Sequence, residues 1–374
     1  MKIGMLTSTE ERCGIAVYSR DLADGLRTMV DLNIVPVWDR TSSWENYLAE
    51  SSKQLNECDI VHIQHEYSFW GSVLPGQNKF FDQASSIRKP IILTAHTLDP
   101  AAQVLGLSLP GSPLRKLAKR ILAGIPSYRQ IIECKTFTVG DRIIIHDSHA
   151  ASRLESRGIP KSRIRIIPMG VPSPNSDTAQ GSEFRSKYGL EGRTLITVFG
   201  FVRPGRGYEA ILDVLPILGR DVVLVIAGGP QTAQHETYLD GLSADIETRG
   251  LKDQVLVTGY LPDESVPGAM QSTDVVLCPQ EAGTGSYSVQ VSFGYGCPIV
   301  ASDLLCFKYL EETAGCLLTY SRDNTGDLAS KLLLVLTDES VRKRLSAASL
   351  CYAAEHSWEK IAEKTVEVYK ELIG

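Results

Sequence analysis

The sequence contains no apolar run approaching the ~18 residues that a membrane-crossing helix needs, so no segment reads as a span. It has no surplus of positive charge: 38 Lys and Arg stand against 44 Asp and Glu, a formal net charge of −6 over 374 residues. Broad capture of nucleic acid, which needs a basic surface to neutralise phosphates, is therefore not expected. Aromatic residues are few, at 7%. Eight cysteines lie far apart, with neither Cys-x-x-Cys nor a Cys/His cluster at zinc spacing, which leaves reduced, mostly buried thiols. Gly-x-x-x-x-Gly-Lys and Gly-x-Gly-x-x-Gly are both missing, so the common ATP and dinucleotide readings lose their best support. The opening MKIGMLTSTEERCG lacks the apolar stretch and small-residue cleavage site of a secretory signal; it reads as a first buried strand, and the protein as cytoplasmic.

What is there is an alternation of short β-branched runs with longer amphipathic stretches, the signature of an α/β fold with a parallel sheet. Strands are expected over 2–6, 33–37, 59–64, 90–95, 142–146 and 163–168, with helices near 15–28, 44–56, 112–133 and 147–157. The segment VPSPNSDTAQGSE, 171–183, has no periodicity and reads as a linker. The rhythm then restarts, with strands over 194–199, 222–227, 254–258, 274–278 and 298–301 and a closing helix over 357–372. At ~150 residues per domain, the chain divides into a first domain over 1–172, a second over 183–355 and a terminal segment over 356–374. Two doubly wound, Rossmann-like halves are expected, and ligands of such sheets bind outside the carboxyl ends of the strands.

Three glycine-bearing turns lie at those ends. Gly14 opens the helix after the first strand, where free N–H groups of the first turn can hold a phosphate; a plain packing or capping glycine reads the same way. Phe199-Gly200-Phe201-Val202-Arg203-Pro204-Gly205-Arg206-Gly207 repeats the device with two arginines, whose donors suit a diphosphate, solvated surface arginines being the alternative. Glu281-Ala282-Gly283-Thr284-Gly285-Ser286 follows an apolar strand and can expose several backbone N–H groups.

Taken with Gln64-His65-Glu66-Tyr67, Leu93-Thr94-Ala95-His96-Thr97, Ile166-Ile167-Pro168-Met169-Gly170-Val171, Gly259-Tyr260-Leu261-Pro262-Asp263-Glu264 and Gly294-Tyr295-Gly296-Cys297-Pro298, these motifs resemble the retaining glycosyltransferases of family 4, most closely a mannosyltransferase-like branch. The resemblance covers essentially the whole chain. It implies a GT-B fold of two facing Rossmann-like domains with a nucleoside-diphosphate sugar bound between them, and a last helix that returns to the first domain. It assigns Gly14 and Arg206 to the donor diphosphate, with Arg203 replacing an arginine usually found at the position of Phe201. Tyr260 and Leu261 fall in the base-binding stretch, and Glu281, Gly283, Thr284, Gly285 and Ser286 in the loop at the sugar and phosphate. His96 matches a histidine near the reacting sugar. His65 and Glu66 fall on the acceptor side, with packing an equal alternative.

The departure from the family is the loss of its two glutamates spaced by seven residues, whose positions here are Gly283 and Val291. Glu281 stands two residues before the first as a partial substitute. Family membership would imply transfer with retention, without a protein nucleophile, and the absence of Asp-x-Asp fits a reaction that needs no metal or other cofactor. The expected donor is GDP-mannose or a UDP-sugar, and the acceptor a glycan, a lipid-linked sugar or a small molecule. A non-catalytic nucleotide-sugar binder and an epimerase or hydrolase remain alternatives. The stretch 112–137 joins apolar Leu114, Leu117, Ile121, Leu122 and Ile125 to basic Arg115, Lys116, Lys119 and Arg120. That pattern leaves open both contact with the inner face of an anionic membrane and ordinary packing on a sheet.

Overall fold

The computed structural model describes residues 1–10, 12–71, 78–100, 125–174, 179–283 and 285–373. Thr284, residues 112–124 of the basic apolar stretch and the middle of the linker lie outside them. The chain forms two compact units, Met1–Met169 with Trp358–Gly374, and Gly170–Ser357. Both are α/β.

The first unit alternates β1 (Lys2–Thr7), α1 (Gly14–Leu26), β2 (Asp31–Pro36), α2 (Trp44–Asn56), β3 (Ile60–His65), α3 (Lys79–Ser86), β4 (Ile91–Ala95), α4 (Pro126–Thr138), β5 (Arg142–Ile145), α5 (Ser148–Ser156) and β6 (Ile164–Ile166). The strands are parallel, in the order β2-β1-β3-β4-β5-β6. β1 pairs Lys2 with Asp31 on one side and Ile3 with Ile60 on the other. Every residue of β3 and β4 is buried, as expected of central strands covered on both faces. Pro36 is tolerated because β2 is an edge strand with no outer partner to serve.

The second unit runs α6 (Gln180–Tyr188), β7 (Thr194–Phe199), α7 (Tyr208–Leu218), β8 (Val222–Ala227), α8 (Ala233–Thr248), β9 (Val255–Val257), α9 (Val266–Ser272), β10 (Val275–Cys278), α10 (Tyr287–Gly294), β11 (Ile299–Ser302), α11 (Leu305–Ala314), β12 (Leu318–Tyr320), α12 (Thr325–Thr337) and α13 (Glu339–Glu355). Its strand order is β12-β11-β10-β7-β8-β9. Side chains of β8 alternate between two apolar clusters, Val223, Val225 and Ala227 facing one and Val222, Leu224 and Ile226 the other. This period of two sandwiches the sheet between helices.

The final helix, α14 (Trp358–Lys370), belongs to the first unit. It lies so close to α1 that a Cβ on Gly25 would stand 2.9 Å from Ala362 Cβ and 3.0 Å from the Trp358 carbonyl oxygen. Just beyond it, Glu371 binds Arg142 at 2.6 Å and Arg165 at 2.5 Å.

Most expected elements are present within one or two residues of their bounds. Several had no expected bounds, among them α3, only eight residues long, and β12, a three-residue edge strand, both too short to show a period, and α6, whose first turn lies within the stretch read as a linker. Of the helix expected over 112–133, residues 112–124 lie outside the described ones; within the rest, α4 begins at Pro126, a residue type pre-shaped for a first helical turn. None of the eight cysteines takes part in a disulfide. Among the described residues no helix is long and apolar enough to cross a membrane.

Candidate active site

In an open parallel sheet the ligand edge is the point where the strand order reverses. The second sheet reverses between β7 and β10, the first between β1 and β3. The three glycine-bearing turns lie after β7, after β10 and after β1.

The turn after β7 is squeezed against the chain leaving β10. Gly207 adopts φ +70°, and a Cβ there would sit 2.1 Å from the Pro279 carbonyl oxygen, so only glycine fits. Gly205 accepts a hydrogen bond from the Glu281 N–H at 3.0 Å, joining the two loops. Within this turn Arg206 is 7% exposed. Its Nη2 donates to the Phe199 carbonyl oxygen, while its Nε is buried without a partner. Among the described residues no carboxylate pairs with it, so the guanidinium is a buried cation lacking a counter-ion. Arg203 is exposed and donates to the Pro204 carbonyl oxygen at 3.3 Å; crowding by protein atoms, then the charge of Arg206, lower its pKa.

Across the switch point, Gln280 Nε2 donates to Ser286 Oγ at 2.9 Å and Ser286 Oγ meets Ser288 Oγ at 2.8 Å. These bonds occupy the Ser286 side chain, leaving the backbone of Gly283 and Gly285 as the part of the loop suited to a ligand. Glu281 is exposed, and a Cβ on Gly205 would lie 3.7 Å from its carboxylate. Both α7 and α10 open without a side-chain cap, whereas Thr232 caps α8 and Asn324 caps α12. Two uncapped N-termini beside a buried guanidinium have the charge and free N–H groups that suit an anion.

Tyr260 is exposed and stacks against Phe201, ring centroids 6.4 Å apart. Leu261 packs its side chain into the core, which leaves its backbone as the part available at the sheet edge. Val291, at one lost-glutamate position, is likewise a core residue.

In the first unit, α1 also opens without a side-chain cap, at Cys13. A Cβ on Gly14 would meet no atom within 4 Å, which leaves open space above the helix start. Beside it lies a cavity of about 300 Å³, lined by Thr7, Ser8, Ala16, Ser19, Arg20 and Arg27 among others.

His96, half-buried, follows β4; its Nε2 donates to Gln64 Oε1 at 2.9 Å, and its ring meets Tyr18 edge-on at 4.8 Å and lies 5.9 Å from that of His146. Burial first, then the neighbouring histidines, hold its pKa well below the ordinary imidazole range. It is thus a neutral ring in one tautomer, suited to placing a hydroxyl and unsuited to carrying a spare proton at neutral pH.

Glu66 accepts a 2.5 Å hydrogen bond from Thr97 Oγ1. His65 is a correction. It is completely buried, ringed by Tyr67, Phe80 and Phe137, with neither ring nitrogen hydrogen-bonded and its pKa pushed down to about 3 by burial. Its side chain packs in the core and lines no acceptor site. The sequence reading missed Tyr18, His62, Gln64, His146 and Tyr369. His146 carried a usable signal, since it ends an expected strand beside the one leading to His96.

Residues 15–173 match the family model described as Glycosyltransferase Family 4, and residues 181–350 match that for Glycosyl transferases group 1. The chain is 26% identical over 204 residues to an alpha-D-kanosaminyltransferase of Streptomyces kanamyceticus, covering 53% of this chain and about half, 51%, of that protein. It is 25% identical over 287 residues to a phosphatidyl-myo-inositol mannosyltransferase of Mycobacterium leprae, covering 75% of this chain and 67% of that one. In structure it is similar to Anabaena HepE in complex with UDP and glucose, with a TM-score of 0.78, 15% identity and full coverage of both chains.

Proposed function

The chain belongs to the family-4 glycosyltransferases of GT-B fold, and from that premise we propose that it moves a hexose, with retention and without a metal ion, from a nucleoside-diphosphate sugar to an acceptor hydroxyl. The carrying observation is Arg206. A buried cation without a counter-ion is costly, by several kcal/mol, unless a ligand supplies the anion, and a diphosphate at the β7–β10 switch point would do so. Departure of that diphosphate develops negative charge on its leaving oxygens. Arg206, Arg203 and the backbone N–H groups at Gly283 and Gly285 would bind that charge as it grows and lower the barrier.

The acceptor hydroxyl attacks from the side the diphosphate leaves, and the departing phosphate takes its proton, so no protein nucleophile is needed. His96, neutral and held in one tautomer, orients the sugar. Glu281 contributes a carboxylate beside the phosphate turn in place of the lost pair. GDP-mannose is the first candidate donor, supported by the mannosyltransferase relative, with UDP-glucose next, supported by the structure holding UDP and glucose. The acceptor is a glycan, a lipid-linked sugar or a small molecule.

The test is thermal stabilisation across GDP, UDP, ADP and their common sugar conjugates with EDTA present, followed by turnover with and without acceptors. A ligand at ~100 times its dissociation constant stabilises the fold by ~2.7 kcal/mol. One base should give this shift, Arg206→Ala should remove it, and kcat should fall by roughly 10²–10³. Epimerised donor without acceptor would identify an epimerase, and binding without any turnover a binder. Turnover abolished by EDTA would rule out the metal-free mechanism.

A further inference from the structure

His96 stands at the end of a buried chain of hydrogen bonds that starts on the last helix. Tyr369 Oη on α14 lies 2.7 Å from His62 Nδ1. His62 Nε2 lies 2.7 Å from Thr94 Oγ1 and 3.3 Å from Gln64 Nε2. Gln64 Oε1 lies 2.9 Å from His96 Nε2. His62, Gln64, Thr94 and Tyr369 are completely sealed from solvent, so none can exchange its partner for water. A glutamine amide has a donor end and an acceptor end. With its nitrogen toward His62 and its oxygen toward His96, it requires a lone pair on His62 Nε2 and a proton on His96 Nε2. The His62 proton then sits on Nδ1 and is donated to Tyr369. Nothing in the donor chemistry needs the C-terminal helix to reach this strand, yet the chain links them.

We propose that Gln64, His62 and Tyr369 are positioning residues that hold His96 in its Nε2–H tautomer, so that the terminal helix sets the state of a site residue. This rests on the reading of His96 given above. The burial that keeps His62 neutral supports it, since a protonated His62 would donate from both nitrogens and break the pattern.

The experiment is long-range 1H–15N NMR of the full-length chain with 15N-labelled histidine, the His96 signals being assigned by their loss in His96→Gln. His96 should appear as pure Nε2–H at neutral pH. Gln64→Leu and Tyr369→Phe should each introduce an Nδ1–H population, while Thr94→Ser, which keeps the hydroxyl, should behave as the native chain. In turnover with the identified donor, Gln64→Leu should lower kcat about tenfold, the size of one lost hydrogen bond, with donor KM little changed. Unaltered His149, His235 and His356 signals establish that a variant is folded.

A native Nδ1–H tautomer, or a His96 that stays Nε2–H in folded forms of both variants, overturns the proposal whatever the activity. A tautomer that shifts as expected in a chain that transfers no sugar upholds the positioning chain and removes His96 from the transferase mechanism instead.

Discussion

Two buried histidines, His62 and His65, set the acid limit of the first unit, with half-buried His96 and His146 beside them. Burial lowers the pKa of His62 and His65 to about 3 and holds those of His96 and His146 below 6.5. Each is neutral in the fold and titrates near 6.5 when unfolded, so the unfolded chain binds more protons as pH falls. The stability that His62 and His65 contribute is therefore full above about pH 6.5 and is lost progressively toward pH 3, at up to ~1.4 kcal/mol per pH unit for each. Denaturant titrations should show the decline beginning above the carboxylate range. His65→Leu, which removes two unpartnered nitrogens from an aromatic pocket, should keep the fold and shallow that slope by one proton; an unchanged slope would refute the reading. Gly14→Ala offers the opposite test. With no atom within 4 Å of the new methyl, unfolding should be no easier than in the native chain, whereas donor affinity should drop if a ligand approaches that backbone. His65 also marks where the sequence left two readings open: it sits at the end of β3, as the motif requires, but a strand end does not say which side chain turns inward.

Among the elements, α1, α7 and α10 at the switch points leave their first N–H groups without a side-chain cap. The helices α4, α6, α9 and α11 do the same, so it is the place after β1, β7 and β10, not the missing cap, that sets the three apart. The glycines at Gly14 and Gly207 and the small-residue run at Gly283–Ser286 made those starts legible in the sequence. The packing of α14 was not, because Gly25 inside α1 carries no mark of what lies against it. Gly25→Val would drive a side chain into Ala362 and the Trp358 carbonyl, and should cost ~1–3 kcal/mol by overpacking. Glu371, held to about pKa 2 chiefly by Arg165 and also by Arg142, is partly exposed, so Glu371→Gln should cost only about 1 kcal/mol. A larger loss for Glu371→Gln than for Gly25→Val would show that the ion pairs, not the helix contact, hold the terminus.

At the scale of the whole molecule, the first unit is completed by residues that follow the second in sequence. Removing 358–374 strips Tyr369 from His62 and Trp358 from Tyr18, and uncovers α1, while the apolar clusters of the second unit keep all their members. Calorimetry of this truncation should therefore show the first unit melting at a lower temperature and the second nearly unchanged; equal losses in both would contradict the division. The sequence by itself determined the α/β class, the two-unit plan and the turns that form the ligand edge. Those depend on local signals: hydrophobic period, glycine at turns, and arginine beside them. Only the tertiary structure decided that the two sheets reverse at different places, β1–β3 in one and β7–β10 in the other, that Arg206 is buried with no carboxylate partner among the described residues, and that His62, Gln64, Thr94 and Tyr369 meet. Strand order and buried hydrogen bonds join residues up to 307 positions apart, and such contacts form only when the sheet places them side by side.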